Sequence, residues 1–197
     1  DQLHKLYQKI PAALRPSPIR GAAHQESPKA AEHRNTQTLQ WFRAADATIA
    51  PSNHLADLAR SHGLAAVEVI PHGLSEEWFA GDSQKPHRQG FAHLGTIAFH
   101  KGTDRVVKAW RSACSETDTP LFLHGPVLDP DAALGHPVGP VLNPVEVRKV
   151  LRKVRALVLG SRWPENAPLI ILEARAAGCP VIAPNIGGIS EIIESGR

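Results

Sequence analysis

The sequence has 197 residues, 42% of them hydrophobic and 21% charged, which is long enough for one or two domains and typical of a soluble globular protein. A net charge of +3 is too small to indicate nucleic acid binding by itself, and no apolar run approaches the ~18 residues of a membrane span. Two cysteines without a C-x-x-C pair, and eleven histidines without metal-ligand spacing, argue against a disulfide framework and a metal site.

The first third of the sequence shows alternating helix and strand patterns after a weakly patterned start. Within that start, one short helix is expected around Leu3–Ile10. A helix is predicted from Thr36 and a strand over Ala47–Pro51, because a short apolar run closed by proline is typical of a buried strand. Ser52 is predicted to cap a second helix that ends at Gly63, before the strand "AVEVIP".

The second block of the sequence alternates strands with helices more regularly. Four short apolar runs predict buried strands at Phe91–Gly95, Leu121–Gly125, Ala156–Gly160 and Val181–Ala183. A further short strand is expected near Val138–Leu142, inside a loop-rich segment with several prolines. This alternation predicts an α/β fold with a Rossmann-like, doubly wound parallel sheet, in which ligands bind at the carboxyl ends of the strands.

The predicted organisation is the tail of one α/β domain followed by a second domain. We assign residues 1–74 to the first domain, 75–89 to a linker and 90–197 to the second domain. Because the sequence starts at Asp1 and stops soon after a helix begins near Ser190, we expect a piece that is cut at both ends.

Two glutamates, Glu165 and Glu173, follow the strand Ala156–Gly160. Glu173 lies about 7.5 Å along a helix predicted to start at Pro168, and no basic residue three or four positions away can pair with it. Between the two carboxylates, the free amides and positive dipole end of that helix offer an anion site. The pattern indicates either two solvated surface carboxylates or a long ligand with hydroxyls at both ends and a charged middle.

Lys101 follows the first strand of the second block and precedes a helix capped by Thr103 or Asp104. A lysine beside a helix N-terminus is unfavourable unless an anion such as phosphate binds there, and the alternative is an exposed lysine in a flexible loop. The segment does not match a G-x-x-x-x-G-K-[ST] loop. After the last strand, Gly187 and Gly188 indicate either close approach of the backbone to a ligand or an ordinary turn.

The segment "PENAPLIILEARAAGCPVIA", followed by "GGISE", resembles a motif of retaining glycosyltransferases of the two-domain GT-B fold, family 4 (glycosyl transferases group 1). "ADATIAPSNHLADLARSHG" resembles the last strand and helix of that family's N-terminal domain, and "VEVIPHGL" resembles the crossing into its C-terminal domain. "FAHLGTIAFHKGTDRVVKAW" resembles the first strand, phosphate loop and helix of the C-terminal domain. The resemblance covers residues 36–197 and implies the C-terminal half of a GT-B fold, truncated, after the end of an acceptor-side domain.

The resemblance also implies a function, namely transfer of a sugar from a nucleotide-diphosphate sugar to an acceptor without a cofactor or a metal. In this interpretation Glu173 binds the ribose hydroxyls, Glu165 lies near the donor sugar and Lys101 neutralises the diphosphate, so that Glu165 and Lys101 are the catalytic residues. The other implied donor-binding residues are Gly95, Thr96, Asn166, Ala167, Pro168 and Leu169.

The sequence departs from the family pattern at Thr96, where many members carry arginine, so the diphosphate contact is either weaker here or shared with His100. Because most of the N-terminal domain is expected to be missing, the resemblance implies that this chain alone does not catalyse transfer. Two other functions stay open at this point: a non-catalytic nucleotide-sugar-binding module, and another GT-B enzyme such as a sugar-nucleotide epimerase or a phosphorylase.

The expected partners are a nucleotide-sugar donor and a sugar, lipid-linked or small-molecule acceptor, with no nucleic acid. The basic run Arg148–Arg155 alternates with apolar residues at helical spacing, which is typical of the solvated face of an amphipathic helix. The other interpretation of this run is peripheral contact with an anionic membrane. We therefore expect a cytoplasmic protein that is at most peripheral to the inner face of the membrane.

Overall fold

The computed structural model describes residues 27–79, 87–114 and 118–193, and these divide into two compact units between Pro71 and His72. The helix expected around Leu3–Ile10 lies outside the described residues. The domain boundary at residue 74 stays a prediction, and each unit is described by itself.

The first unit contains α1 (Pro28–Ala44), β1 (Ile49–Ala50), α2 (Asn53–Ser61) and β2 (Glu68–Val69). The two strands are parallel, with Ile49 opposite Glu68. As predicted, Ser52 caps α2, and its hydroxyl accepts a hydrogen bond from the amide of Leu55 at 3.2 Å. A small core of Ala50, Ala56, Leu64 and Val67 holds these elements together.

Helix α1 begins eight residues earlier than the sequence pattern predicts, at Pro28 instead of Thr36. The cause is local, because Ser27 accepts a hydrogen bond from the amide of Ala30 at 3.2 Å, and proline is favoured in the first helical turn. The polar residues between Pro28 and Thr36 therefore extend an exposed helix that carries little apolar periodicity.

The second unit contains a five-stranded sheet flanked by helices. Its strands are β3 (Phe91–Leu94), β4 (Leu121–His124), β5 (Val138–Gly139), β6 (Ala156–Val158) and β7 (Val181–Ile182). Its helices are α3 (Thr103–Cys114), α4 (Pro144–Lys153), α5 (Leu169–Ala176) and α6 (Ile189–Ile192). All strands pair in parallel in the order β5-β4-β3-β6-β7, so the predicted α/β fold class with a doubly wound sheet is confirmed.

Apolar side chains cover both faces of this sheet. On one face, Ala92 and Leu94 of β3 pack in the same cluster as Leu151 of α4 and Ile171 of α5. On the other face, Val107 of α3 packs with residues of β4 and with the partly buried Phe91. Because neighbouring residues of β3 join different clusters, the strand is buried on both sides, which explains its continuous apolar sequence.

The described part of the segment expected to be a linker, residues 75–89, belongs to the second unit and packs within it. Trp78 is the last residue of a short 3₁₀ helix (Glu76–Trp78) and is 8% exposed within the cluster that includes Leu151 and Ile171. The guanidinium of Arg88 donates to the carbonyls of Leu151, Val154 and Gly178, and so binds the C-terminal ends of α4 and α5. These residues therefore contribute to the core and to helix capping.

None of the helices in the described residues combines the length and the apolar character that would be needed to cross a membrane.

Candidate functional site

The candidate site lies where the strand order reverses, between β3 and β6. The chain leaves these adjacent strands toward opposite sides of the sheet, which opens a crevice outside their carboxyl ends. The loop after β3 and the loop after β6 touch at Gly102 and Gly160. Gly102 has φ +68°, and a Cβ there would lie 1.8 Å from the carbonyl oxygen of Gly160. Only glycine permits this approach, so the contact fixes the two loops against each other.

Lys101 and Glu165 meet across this crevice. The Nζ atom of Lys101 lies 2.8 Å from Oε1 and 3.1 Å from Oε2 of Glu165, and the side chains are 33% and 15% exposed. The buried hydroxyl of Ser161 donates a further bond of 2.9 Å to Oε1 of Glu165. The structure therefore brings together the two residues that the sequence singled out on separate loops, and each partly neutralises the other.

A second ion pair joins the same two loops, and the sequence interpretation missed it. Arg162 donates to both carboxylate oxygens of Asp104, at 2.6 and 2.7 Å, and to the carbonyl of Phe99. The amide of Arg162 also donates to the carbonyl of His100 at 3.0 Å. The Arg162–Asp104 pair therefore holds the loop that carries Lys101 against the loop that carries Glu165.

The charge of Asp104 depends on this arrangement. Burial alone would raise the pKa of Asp104, but hydrogen bonding to Arg162 and its positive charge outweigh burial and hold that pKa below its usual value. The available signal in the sequence was a charged residue directly after a strand, at Arg162, together with an aspartate in the first turn of a helix. Their pairing follows only from the sheet topology.

The N-terminal end of α5 points its first amides out of the helix without intramolecular acceptors. The helix begins at Leu169, with Pro168 as its N-cap residue, one residue later than predicted. Among the described residues, no hydrogen bond uses the amides of Asn166, Ala167 or Leu169. Free amides at a positive helix end suit an anion, and these are the positions the sequence predicted for donor binding.

Glu173 lies one turn further along α5. Burial raises the pKa of its carboxyl group. No hydrogen bond or ion pair from the other described residues reaches this carboxylate. A half-buried carboxylate without a partner is costly in a folded protein, so Glu173 is available to bind hydroxyl groups of a ligand.

A cavity of about 210 Å³ lies beside these residues at the ends of β3 and β4. It is lined by Leu94, Gly95, His124, Gly125, Leu142 and Ile170, among others. Gly95 is therefore part of its wall, and the half-buried Thr96 follows directly at the start of the loop. Ile170 precedes Glu173 by three positions, which places both residues on one side of α5.

Gly187 and Gly188 support Glu165 through the backbone. The amide of Gly188 donates to the carbonyl of Glu165 at 2.7 Å. Gly187 has φ +57°, and a Cβ there would lie 2.5 Å from the same carbonyl oxygen. Of the two interpretations open in the sequence, the structure favours the turn, because the amide of Gly188 is already bonded inside the protein.

A larger cavity of about 420 Å³ lies in the first unit, lined mainly by apolar residues of α1, β1 and α2. We place the candidate site in the second unit, because charged side chains and unbonded amides converge there. In the described part of the chain, no three His, Cys, Asp or Glu side chains are grouped so that they could hold a metal ion.

A parallel sheet in this order, with a lysine, carboxylates and free helix amides at its switch point, defines a doubly wound α/β domain suited to an anionic ligand. Residues 88–197 match the family model described as glycosyl transferases group 1, which covers more than half of the chain. The chain belongs to this family.

The curated relatives that match are glycogen synthases of two Mycobacterium tuberculosis strains, CDC 1551 and H37Rv. Each is 29% identical over 154 residues, which is 68% of this chain and 36% of the relative. The chain therefore spans about a third of the length of these relatives.

Solved glycosyltransferase structures share the fold. HepE of Anabaena, solved with UDP and glucose, has a TM-score of 0.67 at 18% identity over 84% of this chain and 53% of its own. Sucrose-phosphate synthase from Thermosynechococcus elongatus has a TM-score of 0.66 at 21% identity, over 85% and 48% of the two chains. The predicted GT-B relationship of the fold is thereby confirmed.

Proposed function

We propose that this chain carries the donor-binding half of a retaining glycosyltransferase of family 4, which transfers a sugar from a nucleotide-diphosphate sugar to an acceptor. The single observation that carries the proposal is the Lys101–Glu165 ion pair at the switch point of the sheet, beside the unbonded amides of α5. Membership of the glycosyl transferases group 1 supports the reaction type. The acceptor in this proposal is a sugar, a lipid-linked sugar or a small molecule with a hydroxyl group.

In the proposed reaction the bond between the anomeric carbon and the β-phosphate oxygen breaks. The acceptor hydroxyl oxygen bonds to the anomeric carbon from the same face, and its proton passes to the departing phosphate. Negative charge therefore grows on the leaving diphosphate in the transition state. A lysine and helix amides placed at that oxygen accelerate the step, because preorganised donors stabilise developing charge.

We assign each residue at the crevice to one part of the donor: the diphosphate, the ribose or the sugar. Lys101 and the amides of Asn166, Ala167 and Leu169 bind the diphosphate, with Thr96 and Gly95 at the start of the same loop. Glu173 accepts hydrogen bonds from the ribose hydroxyls, and these satisfy a carboxylate that has no partner among the residues that the structure describes. Glu165 releases Lys101 to the phosphate and accepts from a hydroxyl of the donor sugar.

We propose that the reaction needs neither a cofactor nor a metal, because Lys101 and the helix end supply the positive charge that a cation would otherwise provide.

We further propose a cytoplasmic location. An exposed basic surface on and after α4, formed by Lys149, Lys153 and Arg155, would be attracted to anionic lipid. We leave Arg148 out of this surface, because its guanidinium donates a hydrogen bond to the carbonyl of Glu77 within the protein. Sedimentation with anionic and neutral vesicles tests the membrane contact.

The experiment that tests the donor site is a binding screen of UDP-, GDP- and ADP-glucose by thermal shift and calorimetry. We expect one nucleotide series to bind without added metal, and Lys101→Ala to lose that binding. Lys149→Ala, at an exposed lysine of α4, is the matched control and should bind as the parent does. Absence of binding for all three series, with the chain folded, would reject the proposal, whereas binding with no transfer or hydrolysis would indicate a binding module.

A further inference from the structure

Two buried polar atoms near the crevice lack hydrogen bonds. In the described part of the chain, the buried side-chain nitrogen and oxygen atoms without any partner are Nδ1 of His100 and Oδ1 of Asp129. Leaving such an atom unsatisfied costs free energy, so each case in a native protein calls for an explanation. Here the two atoms are complementary, because an imidazole N–H can donate and a carboxylate oxygen can only accept.

The backbone holds Asp129 next to the loop that contains His100. Asp129 follows β4 and is 3% exposed. Its Oδ2 atom accepts from the amide of Phe99 at 3.0 Å, and its own amide donates to the carbonyl of Ile97 at 3.0 Å. One carboxylate oxygen is therefore fixed to the residue before His100, and the other stays available to the imidazole.

The half-buried ring of His100 is surrounded by charged groups from three loops. Lys101 follows it on its own loop, Asp129 comes from the loop after β4, and Glu165 and Arg162 come from the loop after β6. Burial, together with the charge of Lys101, lowers the pKa of His100, while Asp129 and Glu165 oppose that shift. The imidazole is therefore neutral at pH 7 without a ligand, and among the described residues Nε2 has no hydrogen-bond partner.

In this structure no hydrogen bond joins these two atoms. We propose that a rotation of the His100 ring pairs Nδ1–H with Oδ1 of Asp129 and turns Nε2 toward the ligand. Nε2 then takes up a proton as a diphosphate binds and donates it in a hydrogen bond to a phosphate oxygen. The ligand half of this inference rests on the proposed function. The proton comes from solvent, and the carboxylate of Asp129 stabilises the imidazolium that forms. Asp129 is then a positioning residue, and His100 supplies a second donor beside Lys101.

This arrangement explains how the site could bind a diphosphate although Thr96 stands where many family members carry arginine. A threonine cannot contribute the positive charge of an arginine at the start of the loop. A histidine that becomes charged only when the phosphate is present supplies that charge four residues later along the same loop. The carboxylate behind it makes the charging possible within a half-buried site.

The first test measures the imidazole directly, without any ligand. Long-range ¹H–¹⁵N NMR of the complete chain should show His100 as the neutral Nδ1–H tautomer. In Asp129→Asn the asparagine can still accept from Phe99 through its carbonyl, but its NH₂ group then faces Nδ1, so the ring should change to the Nε2–H tautomer. A parent ring already in the Nε2–H form overturns the inference, and this result needs no variant to fold.

The second test uses UDP as the probe. Calorimetry at pH 7 in two buffers of different ionisation enthalpy should show proton uptake on UDP binding in the parent chain and less uptake in His100→Gln. That variant keeps an amide near the Nε2 position, and it should bind UDP about fivefold to tenfold more weakly at pH 6 and less than about twofold more weakly at pH 8.5.

The outcomes separate the two proposals. UDP that binds with the same proton uptake in the parent and His100→Gln overturns the His100 inference and leaves the donor site standing. If UDP does not bind to the parent chain at all, the donor site fails, together with the ligand half of the inference. The tautomer result then still decides whether the His100–Asp129 pair exists.

Discussion

Nζ of Lys101 lies 2.8 Å from Oε1 and 3.1 Å from Oε2 of Glu165, so one ion pair closes the crevice between β3 and β6. The two residues are 64 positions apart in the sequence, and the contact between Gly102 and Gly160 brings their loops together. Without a ligand, the lysine charge is already partly neutralised. A ligand that uses Lys101 must therefore rearrange this pair, and a substitution at either residue changes the charge felt by the other.

We expect Lys101→Ala to weaken UDP binding by about 1.5–3 kcal/mol, roughly tenfold to a hundredfold, because a charge-assisted bond to phosphate is lost. The substitution also leaves Glu165 unpaired near the phosphate, which adds repulsion. Calorimetry at low and moderate salt measures the effect, with Lys149→Ala as the control. UDP affinity equal to that of the parent would leave Lys101 as a residue that only supports the loop.

For Glu165→Gln the structure changes the expectation drawn from the sequence. A glutamate that contacts only the donor sugar would leave free nucleotide nearly untouched when replaced. Since Glu165 instead neutralises Lys101, its removal should free the lysine and tighten UDP binding by about 0.5–1 kcal/mol, twofold to fivefold. Transfer or donor hydrolysis should nevertheless slow, because the proposed contact to the sugar is lost. Weaker UDP binding would contradict the competition between Glu165 and phosphate.

Glu173→Gln should weaken ligand binding and at the same time raise the stability of the free chain. We expect weaker binding of both UDP and the nucleotide-sugar, by about 1–2 kcal/mol, since the charge-assisted bonds to ribose become neutral ones. After allowance for screening by solvent, the same change should stabilise the free chain by at most about 1 kcal/mol at pH 7, because it removes a half-buried carboxylate that has no partner among the described residues. Thermal unfolding and UDP titration of one preparation measure both effects.

The pH dependence of that gain has a definite sign. The pKa of Glu173 is raised above the ordinary value of 4.5, so the folded chain holds this proton more tightly than the unfolded chain does. Stability from Glu173 is therefore present below pH 4.5 and is lost as the pH rises through the raised value. The advantage of Glu173→Gln should be absent near pH 4 and should grow as the pH rises toward 7. A variant less stable than the parent at neutral pH would show that Glu173 has a structural partner.

Much of the second unit could be predicted from the sequence, because each strand is a short apolar run and each crossing contains a helical pattern. Phe91–Leu94 and Leu121–His124 lie within one residue of their predicted ends. The parallel orientation of the strands could be predicted from the alternation of strands and helices, whereas their order in the sheet comes from the structure. Trp78 and Arg88 were harder to place, since their partners on α4 and α5 are more than 60 positions away in the chain.

Lys101 and Glu165 could be singled out from the sequence, but their pairing could not, and the functional roles of the predicted site residues stay a prediction. Lys101, Glu165 and Glu173 were singled out because each has an unfavourable local environment without a ligand or a distant partner. Lys101 and Glu165 are each other's distant partner, whereas no hydrogen bond or ion pair from the other described residues reaches Glu173. The pairing of Arg162 with Asp104 was missed, since a charged residue at a strand end or in a helix's first turn has an ordinary local explanation.

His93 should make the chain less stable in mild acid. It is 2% exposed in β3, with Nδ1 3.0 Å from the carbonyl of Val158 and Nε2 3.1 Å from the hydroxyl of Thr103. Thr103 in turn accepts from the amide of Ala98. This chain of bonds fits a neutral ring that donates through Nδ1 and accepts through Nε2, and protonation would break it.

Burial, opposed by the bond to Val158, lowers the pKa of His93 below the ordinary 6.5. The unfolded chain then binds the proton first, so stability from neutral His93 is present above pH 6.5 and is lost as the pH falls below it. We expect the melting temperature to fall between pH 7.5 and 5.5, and to fall less in His93→Gln than in the exposed control His72→Gln. Equal slopes in both variants would assign the acid sensitivity to other groups.

Arg162→Ala should be the most destabilising of these substitutions, because it leaves the carboxylate of Asp104 buried without its two hydrogen bonds from the guanidinium. Loss of one partner of a buried ion pair costs about 3–5 kcal/mol. The matched control is Arg111→Ala, since Arg111 donates to the carbonyl of Leu134 at 2.7 Å from an exposed position. That change should cost about 1 kcal/mol. Urea unfolding of both variants measures the difference.

The double variant Arg162→Met/Asp104→Leu distinguishes fold stability from positioning. Replacing a buried ion pair by apolar side chains of similar volume is often neutral, so most of the lost stability should return. UDP affinity should stay reduced about fivefold or more, because neither replacement can donate to the carbonyl of Phe99 and hold the Lys101 loop against the Glu165 loop. If the double variant recovers both stability and UDP affinity, the pair supports only the fold, and the position of Lys101 must then be set by the Gly102–Gly160 contact and the backbone hydrogen bond from residue 162 to the carbonyl of His100.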